Sequence, residues 1–75
     1  MTQKYNIAVV GATGAVGTEI VQILEQRDFP VENLYLLASS KSKGKKIDFK
    51  EKEIIVEDLA EFDFSKVNIG LFSPG

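Results

Sequence analysis

The sequence predicts an α/β fold that begins with a βαβ unit of a parallel sheet. Three observations support this: a continuous apolar run at residues 7–10, an amphipathic helical pattern from residue 15, and a second apolar run at residues 34–38. Runs of this kind are typical of strands buried on both faces. The unit has the length of roughly 30 residues that one βαβ crossover needs, so we expect two parallel neighbouring strands joined by a helix.

The predicted helix carries an apolar stripe at spacing i, i+4, i+7 and i+8, formed by Val16, Ile20, Ile23 and Leu24. This spacing places the four side chains on one face, which we expect to be buried. Pro30 ends the pattern, because the residue before a proline is displaced from helical backbone dihedrals.

Shorter elements follow the βαβ unit. Residues 46–49 and 53–57 are strand candidates separated by three polar residues, which indicates a hairpin. Residues 58–66 predict a turn or one short helix, and the apolar run at 67–72 predicts another buried strand. The sequence closes on Ser73-Pro74-Gly75, which we interpret as a strand-to-loop transition. We therefore expect residues 1–75 to form an incomplete domain with an exposed sheet edge.

Composition excludes several classes of function. The 75 residues include no Cys and no His, which removes thiol nucleophiles, imidazole bases and nearly every transition-metal site. We expect no catalytic residue and no metal site in this chain. The net charge of −2 argues against a dedicated nucleic-acid partner. No secretory signal is visible and no apolar run approaches the ~18 residues of a membrane span, so we expect a cytoplasmic chain.

The most informative motif is the glycine-rich segment at residues 11–17, Gly-Ala-Thr-Gly-Ala-Val-Gly, between the first strand and the helix. Gly11 is expected to permit the tight turn out of the strand. Gly14 is expected to omit a side chain where backbone approaches a pyrophosphate, and Gly17 to let the helix pack closely on the first strand. This context predicts a Rossmann-like dinucleotide-binding domain, with a purely structural turn as the alternative.

The start of the helix predicts how the anion is held. Thr13 is expected to be the helix N-cap, which would leave the amides of Gly14, Ala15 and Val16 pointing at a phosphate. A Walker-type loop is excluded, because no Gly-Lys-Ser/Thr sequence follows.

The end of the second strand predicts which dinucleotide binds. NAD-binding domains commonly place an acidic residue about 20 residues beyond the glycines, where it holds the ribose 2′-hydroxyl. Residues 34–46 contain no Asp or Glu, and they include Ser39, Lys41 and Ser42. Hydroxyl and ammonium groups suit a 2′-phosphate. The sequence therefore predicts NADP, with Lys41 and Ser42 as the main 2′-phosphate ligands; an ordinary solvated loop is the alternative.

Two further features bear on the same site. Six of the nine basic residues lie between residues 41 and 52, a window that carries a net charge of +4. Within it, Lys43, Lys45 and Lys46 are expected to contribute only a general positive field. Ser73 is expected to lie at the carboxyl edge of the sheet and to contact the adenosine ribose or the pyrophosphate; a turn serine before proline is the alternative.

Three motifs together resemble the opening of the aspartate-semialdehyde dehydrogenase family. They are residues 7–17 (IAVVGATGAVG), residues 36–45 (LLASSKSKGK) and residues 71–75 (LFSPG). The resemblance implies an NADP-dependent reductive dephosphorylation of aspartyl-4-phosphate to aspartate semialdehyde, a step in lysine, threonine and methionine biosynthesis, by a homodimer or homotetramer. It also implies that Thr13 to Val16 contact the pyrophosphate, that Lys41 and Ser42 contact the 2′-phosphate, and that Ser73 lies nearby.

The family's catalytic cysteine, histidine and substrate-binding arginines have no counterparts here, so we expect the catalytic and dimerisation domain to be absent and the chain to bind cofactor without catalysis. Many family members carry arginine where this chain has Lys41, and lysine meets phosphate as a point charge without the arginine fork. Other interpretations are the opening of an N-acetyl-glutamyl-phosphate reductase, that of an extended short-chain reductase, and a stand-alone NADP-binding module.

Overall fold

A computed structural model describes residues 3–72 of the chain. The elements follow in the order β1 (Tyr5–Val10), α1 (Ala15–Gln26), β2 (Val31–Ala38), β3 (Lys46–Phe49), β4 (Lys52–Ile55), β5 (Glu57–Asp58) and β6 (Ile69–Phe72). Three short 3₁₀ turns connect them, at Ser40–Ser42, Leu59–Glu61 and Phe64–Lys66. Within these residues, α1 is the longest helix, and no helix is long and apolar enough to cross a membrane.

Four strands form one parallel sheet in the order β5-β2-β1-β6. The predicted βαβ unit is confirmed, with Val10 of β1 in register with Leu37 of β2 on one side and with Phe72 of β6 on the other. The carboxyl ends of these strands therefore meet at one edge of the sheet. The chain order reverses between β1 and β6, and ligands of open α/β sheets bind in the crevice outside such a switch point.

The core lies between the sheet and α1. Ile7, Val9 and Leu36 are fully buried in one cluster with Val21 and Leu24 of the helix. Transfer of such side chains from water contributes roughly 1.5–3 kcal/mol each, and these contacts fix the position of α1 against the strands.

The predicted apolar stripe of the helix is wrong in part. Val16 and Ile23 are 41% and 48% exposed, whereas the buried positions of α1 are Gly17, Val21 and Leu24. The physical reason is the close approach of the helix at Gly17, which turns the Gly17–Val21–Leu24 face toward the sheet.

The predicted hairpin is confirmed as β3 and β4, which pair antiparallel with Phe49 opposite Lys52. The two turn residues Lys50 and Glu51 have φ of 49° and 68°, the left-handed pair that a tight hairpin turn requires. The backbone amide of Lys50 donates to the Glu25 carboxylate. The side-chain ammonium group of Lys50 lies 2.6 Å from the Asp28 carboxylate. These contacts tie the hairpin to the carboxyl end of α1.

Residues 58–66 differ from the predicted turn or single helix. Glu57 and Asp58 form β5, which pairs with β2, and two 3₁₀ turns follow. Each turn is capped by an aspartate: Asp58 accepts from the amide of Ala60, and Asp63 accepts from the amide of Ser65, both at 2.9 Å. Beyond them β6 pairs with β1 alone among the described strands, so its outer edge is exposed within residues 3–72.

Candidate functional site

The glycine-rich segment follows β1 at the carboxyl edge of the sheet and is hydrogen-bonded to the end of β2. The amides of Gly11 and Ala12 both donate to the carbonyl oxygen of Leu37, at 2.8 and 3.1 Å. Gly11 has φ of 82°, a left-handed conformation that side chains disfavour, so the predicted tight turn is confirmed. This turn places the start of α1 beside the switch point between β1 and β6.

Gly17 packs against that turn with no room for a side chain. A Cβ atom built there would lie 2.0 Å from the carbonyl oxygen of Gly11 and 2.8 Å from Cα of Ala12. The predicted close approach of the helix is confirmed, and the contact is with the residues just after β1.

Gly14 is under no such steric demand from the fold. A Cβ atom there would meet the Gly11 oxygen at 3.4 Å, which is ordinary van der Waals contact, and the φ of Gly14 is −79°. Gly14 is also exposed, so the fold itself does not demand glycine at this position. The predicted reason for glycine here, the approach of a pyrophosphate to the backbone, stays a prediction.

The prediction that Thr13 caps the helix is wrong. The N-cap residue is Gly14, whose backbone is extended, and no side-chain hydrogen bond caps α1. Thr13 lies one residue too early to cap the helix. Its hydroxyl instead donates to Oγ of Ser42 at 3.3 Å.

Several amides at the start of α1 are unpaired among residues 3–72. Those of Ala15 and Val16, two of the three amides predicted to meet a phosphate, have no acceptor there, and those of Thr13 and Gly17 have none either. The amide of Gly14 differs from the prediction, because it donates to the carbonyl oxygen of Gly11 at 3.0 Å and is therefore occupied. The first turn of α1 contains no acidic residue, so the positive end of the helix dipole is not offset locally. Unpaired amides at such an end form a natural anion-binding site.

The second predicted cluster lies in the 3₁₀ turn after β2. Ser39 and Lys41 are exposed and Ser42 is half-buried. The Ser42 amide donates to the Ser39 carbonyl oxygen at 2.9 Å, which fixes the turn. The Thr13–Ser42 hydrogen bond brings this turn against the glycine-rich segment, so the structure joins the two predicted parts of the site.

The carboxyl end of this loop is hydrogen-bonded to the residue that directly follows β4. Gly44 donates to the carbonyl oxygen of Val56 at 2.9 Å, and Val56 donates back to Lys45 at 2.7 Å. Because Val56 is fully buried in the core, these hydrogen bonds fix the carboxyl end of the loop against a core residue.

The lysines of the loop differ in their neighbours. Lys43 forms an ion pair with Glu61 at 3.2 Å, so part of its predicted contribution to the positive field is offset. Lys41 forms no ion pair with any carboxylate of residues 3–72, which leaves its ammonium group available to a ligand.

Sequence reasoning missed two hydroxyl groups that shape the site. One is Thr13 as a partner of Ser42, for which the sequence carries no signal, because the two residues are 29 positions apart. The other is Thr18, whose hydroxyl donates to the Gly14 carbonyl oxygen at 2.8 Å. A threonine four residues after the N-cap residue indicates this kind of hydrogen bond, from the side-chain hydroxyl to the backbone carbonyl oxygen one turn earlier. Ser73, the last predicted site residue, lies outside the described residues.

Comparison with known proteins agrees with this geometry. The family model "Semialdehyde dehydrogenase, NAD binding domain" matches residues 6–75. Aspartate-semialdehyde dehydrogenases of Legionella pneumophila and Vibrio mimicus are 56% and 49% identical over all 75 residues, which cover 22% and 24% of those proteins. The crystal structure of aspartate semialdehyde dehydrogenase II from Vibrio cholerae, complexed with ASA, superposes with a TM-score of 0.95 at 49% identity. That match covers 97% of this chain and 24% of the other.

The chain thus spans less than a quarter of the length of these relatives. The family match over residues 6–75 agrees with the parallel sheet, the glycine-rich turn and the unpaired amides at the start of α1. This chain belongs to the family of semialdehyde dehydrogenase NAD-binding domains.

Proposed function

We propose that this chain binds NADP as the N-terminal cofactor-binding part of an aspartate-semialdehyde dehydrogenase. The observation that carries the proposal is a pair of adjacent features: amides at Thr13 and residues 15–17 that have no acceptor within residues 3–72, and the serine- and lysine-containing turn after β2, which the Thr13 hydroxyl joins to them by its hydrogen bond with Ser42. The first feature suits a diphosphate, and the second suits a phosphate on the adenosine side.

The described residues offer groups for both phosphate positions of the adenosine half of the cofactor, the diphosphate and the 2′-phosphate. The amides of Ala15, Val16 and Gly17 are assigned to the diphosphate, since they lie at the positive end of α1. The exposed face of Gly14 leaves room for the diphosphate to approach the backbone. The left-handed backbone of Gly11 turns the chain out of β1, so that α1 begins beside the crevice.

Lys41 and Ser42 are assigned to the 2′-phosphate, with Ser39 beside them. The described part of the turn between β2 and β3 carries no carboxylate that would repel this phosphate. Ser73 stays a prediction as a contact of the ribose or the pyrophosphate.

The proposed reaction of the whole protein is the NADP-dependent reductive dephosphorylation of aspartyl-4-phosphate to aspartate semialdehyde. The relatives at 56% and 49% identity carry the name of this enzyme, and they favour it over the two other reductase families. The bound nicotinamide would supply the hydride. The residues of this chain would bind and orient the cofactor, and the chain contains no cysteine or histidine for the chemical steps. We assign these steps, and assembly into a homodimer or homotetramer, to the whole protein.

Calorimetric titration of the chain with NADP⁺ and with NAD⁺ tests the cofactor assignment. The two ligands differ only in the 2′-phosphate, so the ratio of their dissociation constants isolates the contribution of the turn after β2. One hydrogen bond to a charged group contributes roughly 1.5–3 kcal/mol, which corresponds to about 10- to 100-fold tighter binding of NADP⁺. Equal affinities would overturn the assignment of Lys41 and Ser42, and binding of neither ligand would overturn the proposed site.

A further inference from the structure

The hydrogen bond between Thr13 and Ser42 joins the two loops of the candidate site. Thr13 belongs to the segment that leads into α1, and Ser42 belongs to the 3₁₀ turn after β2. Their hydroxyl oxygens are 3.3 Å apart in a half-buried position. Neither side chain carries a charge, so the contact is a neutral hydrogen bond that acts by orienting the two hydroxyl groups.

The orientation of the Ser42 hydroxyl depends on Thr13. The backbone of Ser42 is fixed independently of Thr13. The Ser42 amide donates to the Ser39 carbonyl oxygen at 2.9 Å, and the Ser42 carbonyl oxygen accepts from the Lys45 amide at 3.2 Å. Its side chain has three staggered rotamers available. Within residues 3–72 the Thr13 hydroxyl is the only hydrogen-bonding partner of Ser42 Oγ, so this contact selects one rotamer.

The contact with Thr13 is compatible with donation from Ser42 to a phosphate. A serine hydroxyl has one proton to donate and two lone pairs that accept. When an anionic oxygen accepts the Ser42 proton, the Thr13 hydroxyl, 3.3 Å away, is placed to donate to a lone pair of Ser42 Oγ. Accepting that hydrogen bond polarises the Ser42 hydroxyl and strengthens it as a donor.

We propose that Thr13 is a positioning residue for recognition of the 2′-phosphate, acting through Ser42. The inference rests on the proposed binding of NADP. It states that Thr13, on the diphosphate side, contributes to the preference for a 2′-phosphate that it does not itself contact. Removal of the Thr13 hydroxyl would therefore lower the affinity for ligands with that phosphate.

A double-mutant cycle on this chain tests the proposal. The variants are Thr13→Val, which keeps the shape and removes the hydroxyl, Ser42→Ala, and both together. The probes are 2′,5′-ADP and 5′-AMP, which differ only in the 2′-phosphate, and the readout is the ratio of their calorimetric dissociation constants. Such a ratio is insensitive to a loss of affinity that weakens both ligands alike, as a disturbance of the site for their shared 5′-phosphate would; the Ser40→Ala control reports on a disturbance of the turn itself.

The expected result is non-additive. Thr13→Val lowers the preference for 2′,5′-ADP about 3- to 10-fold, the range of one neutral hydrogen bond. Ser42→Ala lowers it at least as much, and the double variant lowers it no further than Ser42→Ala alone. Thr13→Ser retains the hydroxyl and is expected to restore the preference. Ser40→Ala, in the same 3₁₀ turn and exposed, is the matched control and is expected to leave it unchanged.

Additive losses, or no loss in Thr13→Val, would overturn the positioning role while leaving the proposed NADP binding intact, provided that the unmodified chain prefers 2′,5′-ADP. If the unmodified chain binds both probes equally, the proposed function fails, and the inference fails with it. Denaturation of each variant verifies that it is folded under the titration conditions. Should Thr13→Val fail to fold, the cycle built from Thr13→Ala gives the same comparison.

Discussion

Gly17 of the helix lies against Gly11 of the preceding turn so closely that a single added carbon would overlap the Gly11 carbonyl oxygen, at 2.0 Å. The contact fixes where α1 begins and, with it, the direction of the unpaired amides. Because the atoms that would clash belong to the backbone, no rotation of a side chain can relieve the overlap.

Gly17→Ala is therefore expected to destabilise the chain by about 3 kcal/mol, the upper range for overpacking a tight contact. The free energy of unfolding from urea denaturation measures this. Gly14→Ala is the matched control, since its Cβ would have 3.4 Å to the same oxygen, and we expect a loss of about 1 kcal/mol from the poorer N-cap residue. Equal losses in the two variants would contradict the close approach at Gly17.

Lys41→Glu is expected to weaken NADP⁺ binding far more than NAD⁺ binding. The substitution replaces an ammonium group that has no ion pair within residues 3–72 with a carboxylate that repels the 2′-phosphate, and an effect of roughly 10- to 100-fold on NADP⁺ is expected. Lys52→Glu makes the same charge change on β4 of the hairpin and serves as the control. If titration shows equal losses for both cofactors, Lys41 acts only through the general field of the loop.

Asp28 is expected to make the free energy of unfolding of the chain vary with pH in the acid range. Its hydrogen bond to Lys50, and then the charge of Lys50, lower the pKa of Asp28 below the ordinary aspartate value. A lowered folded-state pKa contributes stability above the unfolded value of about 3.9, and this stability is lost as pH falls through the lowered folded value. An NMR titration of the Asp28 carboxyl carbon measures the midpoint directly.

In Lys50→Gln the midpoint of Asp28 is expected to move up, toward the ordinary value, because the charge is removed. The exposure of Asp28 means that the effect on stability is small and weakens in high salt. An Asp28 midpoint unchanged by this substitution would show that the ion pair is absent in solution.

Glu51→Gly is expected to stabilise the chain by roughly 0.5–1 kcal/mol. Glu51 has φ of 68°, and glycine adopts this conformation without the steric penalty of a side chain. Glu53→Gly, two residues away in β4, is the matched control and is expected to destabilise by a similar amount, since glycine weakens a strand. The same sign for both variants in thermal or urea unfolding would contradict the left-handed turn.

Local patterns explain why much of the fold was predictable. The apolar runs at residues 7–10 and 34–38 and the helical period between them depend on neighbours close in sequence, and the βαβ unit formed as expected. The hairpin was also predictable, because two short strands flank three polar residues. In the site, the turn at Gly11 and the packing at Gly17 followed from the chemistry of glycine.

What could not be predicted depends on tertiary contacts. The buried face of α1 is set by the approach at Gly17, so Val16 is exposed although its spacing fits the stripe. The two-residue strand β5 is defined by its pairing with β2, which no local pattern encodes. Thr13 fits an N-cap by residue type, yet its hydroxyl is used by a serine 29 residues away.

The most direct test of the proposed site is an NMR titration of the ¹⁵N-labelled chain with NADP⁺. The unpaired amides of Thr13, Ala15, Val16 and Gly17 are expected to show the largest shift changes, with Ser42 next. The amides of the β3–β4 hairpin are expected to stay nearly unchanged. Shift changes concentrated on the hairpin, with the start of α1 unaffected at saturation, would contradict the assignment of those amides to the diphosphate.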